Sequence, residues 1–198
     1  MSQENVTLAV TGASGSIYAA EMLRALAADE RVGTVNLVVS DSSLRVFAEE
    51  LGLSGRNGLV EKLLGAPSAK VVQHPDENIG ASIASGSYAG GTMIVLPCSM
   101  GTLARIAHGL ASSLIERAAD VTLKERRRLV LCVRETPFNL IHLRNMTAAA
   151  EAGATIYPVM ATLYDHPENT SVMARQFCQR VLAHVGLRQP GMFEWGAE

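Results

Sequence analysis

Residues 6–16 read Val6-Thr7-Leu8-Ala9-Val10-Thr11-Gly12-Ala13-Ser14-Gly15-Ser16. A β-branched apolar run gives way to a turn of small residues and then to a helical pattern. The run Val6–Thr11 predicts a strand, and Ser16–Asp29, with Ile17, Ala20, Leu23 and Ala27 on one face, predicts the helix that follows. Glycines permit a tight turn, the free N–H groups of a helix start attract an anion, and Ser14 adds a hydroxyl donor. Taken alone, such a turn is equally a plain strand-to-helix connection.

Outward from this unit the same alternation repeats. Val35–Ser40, Lys70–Gln73, Met93–Leu96, Leu129–Val133 and Ala154–Tyr157 read as strands, and Ser42–Leu51, Leu59–Leu64, Thr102–His108, Leu140–Ala152 and Ser171–Val185 as amphipathic helices. Strict alternation predicts a three-layer α/β fold, a parallel sheet with helices on both faces in a single domain. The strands are continuous apolar runs, as burial on both faces requires. Ser54–Gly58, Pro75–Gly91 and the tail after Leu187 are the expected loose segments.

Composition narrows the function classes. The 198 residues are 48% hydrophobic and 18% charged, with a net charge of −2, and mean hydropathy is +0.18. Such a chain is neither disordered nor a disulfide scaffold. So few charges leave little polar material to cover a monomer, so a homo-oligomer is expected. No basic stretch dominates, so nucleic acid is not an expected partner. Met1–Val10 lacks the basic start and long apolar stretch of a secretory signal, and no run approaches the roughly eighteen apolar residues of a membrane span. A soluble, cytoplasmic protein is expected. Cys98, Cys132 and Cys178 are odd in number and set in apolar segments, which suits buried reduced thiols.

In a parallel α/β fold, ligands bind beyond the carboxyl ends of the strands. Those positions carry Gly12–Gly15, Ser40–Ser42, Pro97–Thr102, Arg134–Pro137 and Pro158–Tyr164. Pro97-Cys98-Ser99-Met100-Gly101-Thr102 repeats the design of the first turn, offering donors from Ser99 and Thr102 at a helix start. Arg134 and Glu135 follow a buried strand, where an Arg can fork onto phosphate and a carboxylate can handle protons. In the charge run 124–128 only Lys124, sharing a helix face with Ala119 and Leu123, is aimed toward chemistry. The residues four positions after Tyr18, Tyr88, Tyr157 and Tyr164 are Met22, Thr92, Ala161 and Glu168, so the Tyr-x-x-x-Lys pair of short-chain dehydrogenases is missing. The five histidines show no metal-ligand spacing, and no metal is expected.

Six ordered segments resemble the flavin prenyltransferases of the UbiX/Pad1 family, which are flavodoxin-like: Gly12–Ser16, Ala84–Ser87, Pro97–Gly109, the Leu114–Arg127 stretch, Arg134–Met146, and Leu163-Tyr164 with Pro167. The resemblance implies a flavoprotein domain over residues 1–188 and a C-terminal tail over 189–198, with Trp195-Gly196 similar to the tail of some members. It implies transfer of a dimethylallyl group from dimethylallyl phosphate to N5 and C6 of reduced FMN, giving prenylated FMN for a UbiD-type decarboxylase, without a metal. Subunits of the family form dodecamers with the site at a junction. Carried over residue by residue, Gly12, Ala13, Ser14, Ser40, Ser99, Met100, Gly101, Thr102 and Arg134 match FMN-binding positions. Tyr164 and Arg180 match positions that hold the prenyl phosphate, and Glu135, Lys124 and Glu50 match catalytic ones. The sequence departs from the family at Asn78–Ile83, which lacks the aromatic residue frequent in relatives, at Ala161–Leu163, and at Ser112-Ser113, where Asn is frequent. Two other readings stay open: an FMN-dependent enzyme like the cysteine decarboxylases, whose Asn-containing turn stands where Pro97–Thr102 stands here, and a non-catalytic FMN carrier.

Overall fold

The computed structural model describes residues 3–164, 166–194 and 196. Six strands, β1 (Glu4–Val10), β2 (Val32–Val39), β3 (Val71–Pro75), β4 (Thr92–Cys98), β5 (Arg128–Val133) and β6 (Thr155–Ile156), alternate with helices α1 (Ser16–Ala28), α2 (Asp41–Leu51), α3 (Leu59–Leu64), α4 (Met100–Ala107), α5 (Leu114–Lys124), α6 (Leu140–Glu151) and α7 (Thr170–His184). All strand pairs are parallel, in the order β3-β2-β1-β4-β5-β6. From β1 the chain winds first toward β2 and β3, then returns to lay β4 on the other side. The carboxyl ends of β1 and β4 therefore flank the topological switch point, where such folds open a crevice.

The four inner strands β1, β2, β4 and β5 bury both faces, whereas the edge strands β3 and β6 are only partly covered. Leu8 and Val10 point into a core completed by α1 and α7, with Met22, Leu26 and Val181, while Ala9 and Val95 face Leu103 and Ala118 of α4 and α5. Fully burying one such leucine is worth about 1.5–3 kcal/mol, so the sheet's two-sided burial dominates stability. On α1 the buried stripe is broader than expected: Met22 and Leu26 are fully buried, while Ile17 and Ala27 are half-buried. The helix lies under both α2 and α7, so contact is not confined to one stripe. Edge-to-face contacts of Phe177 with Tyr18 (5.3 Å) and Tyr157 (5.6 Å) hold α7 in place, each worth about 0.5–1.5 kcal/mol beyond burial.

Three features differ from the sequence reading. Helix α5 is a full element. The segment after β3 is pinned, because Asn36 Nδ2 donates to the Tyr88 hydroxyl (2.9 Å), His74 Nε2 meets Asn36 Oδ1 (2.9 Å) and Asn5 Nδ2 donates to the Ala89 carbonyl (3.0 Å). Burial lowers the pKa of His74, leaving the neutral ring as the expected form. Finally, the tail folds back: Gln189 donates to Asp29 (2.8 Å) and Arg188 pairs with Glu194 (3.0 Å), whereas Trp195 lies outside the described residues. The three cysteines are buried and unpaired, and burial pushes the Cys98 thiol up to about 12. No helix among the described residues is long and apolar enough to cross a membrane. Helix α6 turns Leu140, Ile141 and Leu143 outward, 59%, 66% and 48% exposed, an apolar strip outside both core clusters of the described residues.

Candidate functional site

At the switch point the turns after β1 and β4 are tied together by one hydroxyl. Thr11 Oγ1 donates to the Pro97 carbonyl (2.8 Å) and accepts from the Ser99 N–H (2.8 Å). Gly12 follows in close approach to α2: a Cβ there would lie 2.6 Å from the Ser42 Cβ. Ala13 N–H closes the turn onto the Thr11 carbonyl (2.8 Å). Gly15, at φ +125°, caps α1 in a conformation that side-chain-bearing residues rarely adopt.

The anion at this helix start comes from the protein itself. Glu50, near the end of α2, accepts from the N–H groups of Ser16 (2.7 Å) and Gly15 (3.0 Å). Partial burial would raise its pKa, but hydrogen bonds from the Ser14 hydroxyl, the two N–H groups and the Ser16 hydroxyl outweigh that, holding the carboxyl below its ordinary value. The family resemblance gives Glu50 a catalytic position, and its carboxylate lies in the turn at the start of α1.

Beside this turn, a cleft of about 280 Å³ opens between the starts of α2, α4 and α5. Ser40 caps α2, accepting from Ser43 N–H (3.3 Å), and its hydroxyl meets that of Ser42 (3.0 Å). Ser99 caps α4, accepting from Thr102 N–H (3.3 Å) and donating to Thr102 Oγ1 (3.1 Å). Helix α4 therefore begins at Met100, ahead of the expected Thr102. The Met100 side chain is buried in the core, so its contribution to a ligand is limited to the backbone N–H, which has no acceptor within the helix. Hydroxyls and helix-start N–H groups facing a small cavity suit a phosphate.

The cleft also holds residues that the sequence reading did not assign. Glu116 is buried on α5 and accepts from the Ser112 N–H (2.8 Å) and hydroxyl (2.6 Å), with Arg105 of α4 at 3.4 Å. Asp76 accepts from Ile115 N–H (2.9 Å) at the start of α5. A carboxylate inside the apolar stripe of a helix is the signal that could have exposed Glu116, since such a group is buried only where partners meet it.

Arg134 and Glu135 stand on the same sheet edge. Arg134 N–H donates to the Cys98 carbonyl (3.1 Å), which sets the residue next to Ser99, and Glu135 Oε1 accepts from Thr136 N–H (3.0 Å). Both side chains are exposed. Across the crevice, Tyr18 has a raised pKa, chiefly from burial, with the Arg134 charge opposing the shift.

Three expected site residues are not gathered there. Lys124 ends α5, which runs back against the strands, so it sits by the amino ends. It pairs with Glu125, and a Cβ on Gly86 would meet its Nζ at 2.7 Å, in the segment that Asn5 anchors at the start of β1. Seven residues of strand, about 20 Å, separate that edge from the crevice. Tyr164 and Arg180 do meet, but in a different groove of about 490 Å³ against α7, walled by Tyr157, His184 and the tail residues Met192 and Phe193. The two cavities share no lining residue among those described. No three His, Cys, Asp or Glu side chains among the described residues are grouped as metal ligands.

Residues 1–179 match the model of the Flavoprotein family. The flavin prenyltransferase UbiX of Deinococcus radiodurans is 43% identical over 190 residues, 96% of this chain and 92% of that protein. Among solved structures, AnUbiX in complex with FMN and dimethylallyl pyrophosphate is 35% identical with a TM-score of 0.88 and covers 99% of each chain. A dodecameric FMN-dependent UbiX-like decarboxylase of Escherichia coli is 37% identical with a TM-score of 0.86, over 98% of this chain and 100% of that one. With its parallel sheet, its crevice between β1 and β4 and this likeness along nearly its whole length, the chain belongs to the flavin prenyltransferase family of flavoproteins.

Proposed function

We propose that this protein joins the dimethylallyl group of dimethylallyl phosphate to N5 and C6 of reduced FMN, and that the prenylated FMN serves a UbiD-type decarboxylase in the cytoplasm. The observation that carries this reading is a cleft lined by the Ser40, Ser99 and Thr102 hydroxyls, whose donors match a phosphate, on the sheet edge that also carries Ser14, Glu50, Arg134 and Glu135. Its dimensions and hydroxyl lining fit the phosphate end of FMN. Gly12, Ala13, Ser14, Ser40, Ser99, Met100, Gly101, Thr102 and Arg134 would hold the molecule, Met100 through its backbone. When bound, reduced FMN supplies the two nucleophilic atoms.

The chain's own residues then have separable tasks. Breaking the allylic C–O bond leaves negative charge on the departing phosphate, and Arg134, Lys124, Arg180 and the Tyr164 hydroxyl are the donors to meet it. Glu135 takes the proton released as the second ring bond forms, with the phosphate as a relay. Glu50 fixes the turn that carries Ser14. Because Lys124 lies at the far edge and Tyr164 with Arg180 in a separate groove, the cluster closes only when different copies contribute them. A homododecamer with sites at its junctions satisfies this, and the outward strip Leu140, Ile141 and Leu143 of α6 supplies apolar contact.

Anaerobic incubation of the protein with reduced FMN and dimethylallyl phosphate, followed by mass spectrometry of the extracted flavin, tests the proposal. The expected product is heavier by one five-carbon unit. An unchanged flavin mass, alongside a relative that succeeds, would overturn it.

A further inference from the structure

We propose that Arg105 is the phosphate-reading cation of the hydroxyl-lined cleft and that Glu116 is its positioning residue, an inference that rests on the cleft's holding the phosphate of FMN. The cleft presents hydroxyls from Ser40, Ser42, Ser99 and Thr102 but also two carboxylates, Asp76 and Glu116. Hydroxyls bring no charge, and helix starts bring only partial charge. A phosphate dianion entering beside two carboxylates requires a full positive charge. Arg105 is the one cationic side chain among the described residues that line the cavity.

Its placement suits that task. The pair with Glu116 is asymmetric, the Glu116 side chain being 8% exposed and that of Arg105 54%. Glu116 is fixed from the other side by the Ser112 N–H and hydroxyl. The closest approach of the pair is Arg105 Nε to Glu116 Oε1, at 3.4 Å. Nη1 lies over the start of α4, 3.5 Å from where a Gly101 Cβ would stand, and neither Nη has an acceptor among the described residues. The guanidinium thus meets Glu116 through Nε and carries Nη1 over the α4 N-terminus. That planar fork matches two phosphate oxygens, which an ammonium would not. Gly101 leaves the space clear. Asp76 does not compete for Arg105, because its carboxylate is committed to the α5 start.

The test compares equilibrium affinities for FMN and riboflavin, which differ only in the phosphate, in the intact oligomer. Arg105→Gln is expected to lower the FMN-to-riboflavin affinity ratio at least about tenfold, the scale of one charge-assisted hydrogen bond. Glu116→Gln keeps an acceptor for Ser112 but removes the charge that holds Arg105 in place, so the ratio should fall here too, by less than in Arg105→Gln. An unchanged ratio in Arg105→Gln, or a ratio that holds or rises in Glu116→Gln, would overturn the inference. Should Arg105→Gln fail to fold, the direction of the Glu116→Gln ratio decides alone. A Ser99→Ala/Thr102→Val double variant separates the two levels: if its ratio matches the wild type, the phosphate is not in this cleft and the underlying reading fails.

Discussion

Replacing Gly12 by alanine probes how closely the first turn is fitted to α2. A Cβ at Gly12 would lie 2.6 Å from the Ser42 Cβ, whereas the nearest backbone atom of Ser42, its carbonyl carbon, would be 3.5 Å away. The first contact is impossible without movement and the second is ordinary van der Waals packing. The clash thus belongs almost entirely to the Ser42 side chain, whose Cβ cannot rotate out of the way. Overpacking of this sort costs about 1–3 kcal/mol, which in a chain of this size lowers Tm by roughly 2–4 °C per kcal/mol. Ser42→Gly alone removes the obstacle at about 0.5 kcal/mol of helix propensity. The double variant should then be about as stable as Ser42→Gly, with a coupling energy nearly equal to the Gly12→Ala penalty. Thermal unfolding of the four chains, with FMN affinity measured in parallel, checks the cycle. A neutral Gly12→Ala, or a double variant whose losses simply add, would refute the claim that steric fit at Ser42 positions the turn.

Arg180→Ala should raise the KM for dimethylallyl phosphate about tenfold and leave the FMN Kd unchanged; equal loss of both would make Arg180 structural. Co-assembly of Lys124→Ala chains with Glu135→Gln chains should give more activity than either variant alone, because some sites then draw an intact Lys124 from one copy and an intact Glu135 from another. Activity no higher than that of the parents would place both residues in one chain's contribution. Asp29 accepts from Arg31 and Gln189 and is held well below the usual carboxylate range, first by the Arg31 side-chain bonds. A depressed folded pKa contributes stability above the unfolded value, about 3.9, and loses it as pH falls through the folded one. Asp29→Asn should thus lower stability by about 1–3 kcal/mol at neutral pH, and the gap in Tm should narrow below about pH 4. A gap that persists undiminished in acid would show that the cost is not electrostatic.

The fold was legible because the buried inner strands of a parallel sheet are written as apolar runs such as Met93–Leu96, followed within a few residues by a hydroxyl or small side chain. The crevice residues were legible for the same reason, since Ser40 and Ser99 directly follow strands. Glu116 was not, because its partners Arg105 and Ser112 come together only when α4 packs on α5. Glu50 reaches the α1 start across the gap between two helices, a closeness that no local pattern encodes. For Lys124 the direction of α5 decides the matter: a helix returning between parallel strands carries its last residue to the amino edge, so a family-motif match does not bring it to this chain's own crevice.

The carboxylate of Glu50 at the start of α1 bears on ion selectivity. A helix that carries its own counterion is a closed port for anions in solution at neutral pH: free phosphate or sulfate arriving there would have to displace a covalently tethered competitor whose local concentration never falls. The attraction felt by a phosphorylated substrate is therefore left to guanidinium groups such as that of Arg134, exposed on the same sheet edge. If Lys124, Tyr164 and Arg180 come from neighbouring copies, as proposed, each neighbour that docks strengthens the electrostatic welcome of the substrate beyond what the folded chain's own Arg134 supplies.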